Sequence, residues 1–117
     1  MTVVLVGLAG VAGVLARYGI SYPFHGDTLP WITVAINVAG SFALGVLVAV
    51  PWFSTEVRTA LGVGFLGGFT TFSTFTVQAV LDVDAGEPGR AAAYLAVSIA
   101  AGLAAAAAGF ALGRAVG

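Results

Sequence analysis

The segment Gly62-Val-Gly-Phe-Leu-Gly-Gly-Phe-Thr-Thr-Phe-Ser-Thr-Phe-Thr76 decides how this chain folds. Four glycines are followed by five hydroxyl residues interleaved with phenylalanines, in the middle of a stretch otherwise apolar enough to cross a bilayer. Adjacent Gly67 and Gly68 weaken a helix, and Thr70, Thr71, Ser73 and Thr74 compete for its backbone hydrogen bonds. The segment therefore predicts a break in a membrane helix. Non-helical backbone is tolerated at that depth only inside protein or beside a water-filled cavity, so the break marks a site.

Outward from this run, charges and turn residues divide the chain into four apolar stretches, over residues 3–22, 31–53, 59–81 and 91–112. Each is about 20 residues long, the length a helix needs to cross ~30 Å of hydrocarbon. Alternating strands of barrel length are absent, so the fold class is an all-α membrane protein, a single transmembrane domain over 1–117. Composition agrees: 60% of residues are hydrophobic and 8% charged, against ~25% charged in a soluble domain. The lipid bilayer is the solvent this surface requires. Residues 82–90, with three acids, Gly86, Pro88 and Gly89, read as a loop.

Several functions are excluded early. A net charge of −1 leaves no basic surface for nucleic acid. With no cysteine there are no disulfides, thiolate metal sites or thiol catalysis. One histidine and no acid within a predicted span leave no base for a nucleophile, so the chain is not read as an enzyme. The first apolar stretch lacks a basic leader and is too long for a cleavable signal, so none is expected. An even number of spans puts both termini on one side, with Arg58 and Arg114; Arg90, and Arg17 if it lies near the interface, belong to the other. Orientation follows such asymmetry, and here there is almost none, which predicts insertion in either direction or a partner that fixes it.

The polar residues inside the spans carry the functional reading. Arg17, near the end of the first span, either snorkels to the headgroups or makes an entrance electropositive. Asn37 offers two donors and an acceptor that hydrocarbon cannot satisfy, either to a neighbouring helix or to a polar path. Ser41 lies four residues on, on the same helical face. Phe69, Phe72 and Phe75 recur every third residue, a stripe for packing or, through their electropositive ring edges, for a small anion. Carbonyls freed at the break suit a hard cation. Tyr94 and Ser98 share a face of the fourth span. Gly7, Gly10 and Gly13, and again Gly102, Gly109 and Gly113, mark faces for close helix packing. Four helices alone enclose little room for a pathway, so a dimer is expected.

Three runs then carry a resemblance: GVAGVLARY at 10–18, NVAGSFALG at 37–45 and GFLGGFTTFSTF at 64–75. Together they resemble the Fluc/CrcB fluoride channel family, in order and over nearly the whole chain. The resemblance implies an antiparallel, dual-topology dimer of four-helix subunits with two narrow pores. Its fluoride pore maps onto Asn37, Phe72, Phe75, Ser73 and Thr74, with Tyr94 and Ser98 supporting the phenylalanines and Arg17 at the vestibule. It also implies a structural sodium ion, Na+, held at the dimer centre by the backbone carbonyls of Gly67 and Thr70. Family members often carry Glu where this chain has Gln78, which leaves both a homodimer and a paralogous heterodimer open. The implied function is passive, selective fluoride export across the cytoplasmic (plasma) membrane, lowering intracellular fluoride. The alternative is a small dual-topology multidrug transporter, which needs a membrane-embedded carboxylate.

Overall fold

A computed structural model describes all residues, Met1–Gly117, and every regular element in it is helical. Helix α1 is Thr2–Ser21 and α2 is Leu29–Ala49, joined by a 3₁₀ turn at Gly26–Thr28. The third span, Thr55–Asp84, comes in pieces. It begins as α3 (Thr55–Thr59), widens into a π-helical stretch (Ala60–Leu66), closes as the short α4 (Gly67–Phe69), and resumes as α5 (Ser73–Asp84) after a non-helical stretch at 70–72. Helix α6, Pro88–Val116, is the fourth span.

Local chemistry sets the boundaries. Val50 is extended (φ −81°, ψ 140°), as the residue before Pro51 must be, and α2 stops there. Ser54 caps α3 by accepting from the Val57 amide at 3.2 Å. Pro88 opens α6, where its missing N–H costs nothing. The loop expected over 82–90 is shorter than the sequence suggested. Helix α5 continues to Asp84 because nothing breaks it before Gly86, whose φ of +79° makes the turn. Asp82, expected in a loop, is therefore helical and buried.

Helices α2 and α6 pack along their length, α1 lies on the π-helical stretch and α4, and α5 lies on α6. Two glycines set these distances. A Cβ on Gly109 of α6 would run into the Phe42 carbonyl of α2, and one on Gly13 of α1 would run into the Phe65 carbonyl. Around Gly7, by contrast, there is open space, so the first glycine stripe packs only at its later members.

Only 17 of 117 residues are buried, and large apolar side chains such as Val3, Leu8, Val80 and Leu103 point outward. Such a surface is stable in hydrocarbon and not in water. With four helices long and apolar enough to cross, the chain is a multi-pass membrane protein. Its buried cluster joins three elements: Val34 of α2, Phe75 and Ala79 of α5, and Ala91 and Tyr94 of α6. That cluster anchors the part of the third span beyond the break.

Arg58, counted from sequence only as a link charge, has a structural task. Its guanidinium donates to the carbonyls of Leu47 and Val50, the latter at 2.8 Å. It thereby satisfies the orphan acceptors at the C-terminal end of α2, where a cation is also favoured by the helix dipole.

Candidate functional site: a broken helix braced by an asparagine

The break begins two residues beyond the glycine pair, at Thr70, and hydrogen bonding explains the displacement. Gly67 keeps helical angles (φ −63°, ψ −37°), so its freedom is not used. Thr70 still donates its amide to the Leu66 carbonyl at 3.0 Å, and its hydroxyl bonds the same oxygen at 2.9 Å. The chain then turns out of the helix at Thr70, whose ψ is 161°. The next amide, Thr71 N–H, donates instead to Asn37 Oδ1 at 2.9 Å. Asn37 Nδ2 returns a bond to the Thr71 carbonyl, also at 2.9 Å. One side chain on α2 thus satisfies both backbone polar groups of one residue at membrane depth, where neither can be left unpaired.

Thr71 also starts the following helix. Its hydroxyl accepts from the Thr74 amide at 3.3 Å and bonds the Thr74 hydroxyl at 3.1 Å. These substitutions free particular carbonyls. With Thr71 N–H turned to Asn37 and Thr74 N–H turned to a hydroxyl, Gly67 and Thr70 lose the donors that would have continued the helix. Neither carbonyl receives a backbone hydrogen bond. Between them, the Gly68 carbonyl accepts from Arg17 Nε at 3.2 Å. Arg17 therefore reaches the break itself, across the α1 contact.

An open cavity of about 360 Å³ lies against the break. Asn37 and Ser41 of α2, Gly67 and Thr70 at the break, Phe72 and Phe75 beyond it, and Ser98 of α6 all line it. One amide N–H of Asn37 remains after its bond to Thr71. The Ser98 hydroxyl is buried without a hydrogen-bond partner. Phe72 is 75% exposed and Phe75 8%. Their rings stand 5.7 Å apart at 54°, and Phe75 meets Tyr94 at 5.5 Å and the same tilt. Trp31 closes the series against Tyr94, 6.0 Å away and nearly perpendicular. Tilted pairs of this kind are favoured by the ring quadrupole, whose positive edges can face an anion. No carboxylate lines this cavity.

The structure thus divides the residues singled out from sequence. Asn37, Phe72, Phe75, Ser98, Gly67 and Thr70 share the cavity. Ser73 and Thr74 lie in a separate groove beside Gln78 on α5, and Thr74 shares another with Arg17 and Thr71. Tyr94 is behind Phe75, only 1% exposed. Thr71, treated only as one of several helix-weakening hydroxyls, is the residue Asn37 holds. The available signal was the spacing of Thr71 and Thr74, which suits a helix N-terminus. Asp82, expected in a loop, is 6% exposed, and its Oδ1 accepts from Gln78 Nε2 at 3.1 Å. Their separation by one helical turn was legible; the extension of the helix was not.

Comparison with known proteins bears on the whole chain. The family model described as CrcB-like protein, Camphor Resistance (CrcB), matches residues 4–110. The protein named fluoride-specific ion channel FluC in Rhodospirillum centenum is 46% identical over 96 residues, covering 79% of this chain and 75% of its own length. The one of that name in Agrobacterium fabrum is 40% identical over 121 residues, covering 97% of each chain. Fluoride-specific ion channel FluC 2 of Moorella thermoacetica is 44% identical over 103 residues, 84% of each. With so much of its length matched, the chain belongs to the CrcB-like family.

Proposed function

We propose that this protein is a fluoride-specific channel that lets fluoride leave the cell passively across the plasma membrane. One observation carries the reading. The cavity at the break combines a spare Asn37 donor, the Ser98 hydroxyl and the mutually tilted rings of Phe72 and Phe75, with no carboxylate among its lining. Fluoride is small and strongly hydrated, so it needs close donors and weak electropositive contacts to replace part of its water shell. The relatives named above, called fluoride-specific ion channels, support the same substrate.

The cavity opens at the surface of a single subunit, with Phe72 largely uncovered. A second copy facing it would enclose the path, in the antiparallel arrangement of a dual-topology dimer. Near-absent orientation bias supports that arrangement. Arg58 and Arg114 lie toward one side of the membrane and Arg90, with Arg17, toward the other, so Lys/Arg counting favours neither orientation. Relatives numbered FluC 1 and FluC 2 in their organisms keep a paralogous partner open as the second subunit. The Gly67 and Thr70 carbonyls fit a structural sodium ion, since both line the cavity and both have lost their backbone donors. Such an ion would add positive potential beside the path, and Arg17, bonded at the break, would add to it. Ser73, Thr74 and Tyr94 belong to this reading as flanking groups, the hydroxyls along α5 and the Tyr94 ring behind Phe75.

The multidrug-transporter alternative has lost one of its sequence objections, since Asp82 is within a helix. It sits only two residues before the end of α5, however, away from mid-span. Growth separates the two readings. A strain lacking its own fluoride exporter should regain fluoride resistance when it makes this protein, and should show no gain against quaternary ammonium dyes. Resistance to the dyes without fluoride resistance would favour the transporter.

A further inference from the structure

Beyond Tyr94, at the far end of the ring series, lies a second and smaller cavity of about 20 Å³. Asp82 and Gln78 of α5 line it, with Tyr94 and Arg90 of α6, Trp31 of α2 and Asp27 of the 3₁₀ turn before it. Asp82 is 6% exposed and Tyr94 1%. Asp82 Oδ1 is held by Gln78, but Oδ2 is buried with no hydrogen-bond partner. The buried Tyr94 hydroxyl lies beside Thr33, whose own hydroxyl donates to the Leu29 carbonyl at 3.3 Å, so the Tyr94 oxygen keeps a lone pair free for a ligand. Arg90 does not answer the Asp82 charge, because it pairs with Asp27 at 2.8 Å. Those two charges cancel, and the other acids nearby, Asp84 and Glu87, are exposed and outside the lining. One net negative charge remains, on a buried oxygen without a donor, which is costly unless something positive meets it.

The chemistry of the lining narrows the ligand. Its candidate donor atoms are oxygens, with no thiolate or imidazole, which selects a hard cation. The space suits one water-sized body. A single net charge suits a monovalent ion better than a divalent one. We propose that this cavity binds one small hard monovalent cation, of the sodium class, through Asp82 Oδ2 and the Tyr94 hydroxyl oxygen. The site uses side-chain oxygens, unlike the backbone carbonyls at Gly67 and Thr70. Its ion neutralises Asp82 behind the Tyr94 and Phe75 rings, so an anion in the larger cavity on their far side is not repelled by a bare carboxylate. The binding itself stands independently of which anion travels there.

The test is equilibrium binding of radioactive sodium to the purified full-length protein, at constant ionic strength with N-methylglucamine as the replacing cation. Asp82→Asn is expected to bind about one sodium ion fewer per chain than the unaltered protein. Tyr94→Phe keeps the ring and removes one oxygen, and is expected to weaken that same class of sites about tenfold. Equal stoichiometry in Asp82→Asn would overturn the proposal and make the cavity a water site. If Asp82→Asn fails to fold, Tyr94→Phe decides, and unchanged affinity there overturns it. Neither readout requires transport, so failure here is distinct from failure of the fluoride reading.

Discussion

The Asn37 amide is committed at one donor and its acceptor to the Thr71 peptide, which makes it a brace before it is a ligand. Asn37→Ala would leave an N–H and a C=O unpaired at membrane depth. It is expected to lower stability by about 1–2 kcal/mol and to reduce fluoride flux, read together as an unfolding midpoint and an efflux rate. Phe75 poses a cleaner test of the ring edges. Phe75→Ile keeps an apolar side chain in the cluster with Tyr94, so the cost in stability is about 1–3 kcal/mol and the protein should still assemble. Flux should nonetheless be lost, because the aromatic ring that lines the cavity is gone; persisting flux would make the ring a packing residue only. At this scale, residue type was legible in the sequence and partner was not. An asparagine in a span announces that it needs a partner, but Thr71 lies 34 residues away. Only the packing of α2 against the third span brings them together. Arg17 is the same case: its charge was visible, its acceptor, the Gly68 carbonyl, was not.

Among the elements, the third span holds most of the information and most of the departures. Its glycines and hydroxyls predict a break, and the break exists. Its position at 70–72 is set by which donors Asn37 and the Thr71 hydroxyl capture, a tertiary effect that local propensity does not contain. Glycine has another use here, in close approach. The π-helical stretch meets α1 near Gly13, and α2 meets α6 near Gly109, in both cases with a backbone carbonyl where a side chain would stand. Gly109→Ala should therefore separate α2 from α6 and cost about 1–3 kcal/mol, measured as a fall in the thermal unfolding midpoint in detergent. Gly7→Ala, with open space around it, should leave the midpoint unchanged; a similar fall in both would show that the glycines act through helix propensity instead. The end of the third span was misread for a simple reason. Three acids, two glycines and a proline over 82–90 resemble a loop, yet an acid in the last turn of a helix is tolerated when a neighbour one turn back, here Gln78, bonds it.

Viewed as a whole, the subunit is an apolar body of 48 × 30 × 20 Å whose long axis exceeds the ~30 Å of hydrocarbon. Its core is thin and its polar groups gather in cavities along the third span. Length, composition and the four apolar stretches made this architecture readable in advance, because bilayer thickness and backbone satisfaction leave few other solutions. A dimer was expected from sequence because four helices enclose little room, and the cavity does open at the surface of the single bundle. The central claim is that this cavity, closed by a second copy, passes fluoride and rejects larger halides. The most direct test reconstitutes this polypeptide alone into liposomes loaded with potassium fluoride or potassium chloride, and follows each anion by electrode after valinomycin is added. Rapid release of fluoride with chloride retained is the predicted result. Equal release of the two anions, or retention of both by vesicles shown to contain folded protein, would contradict it.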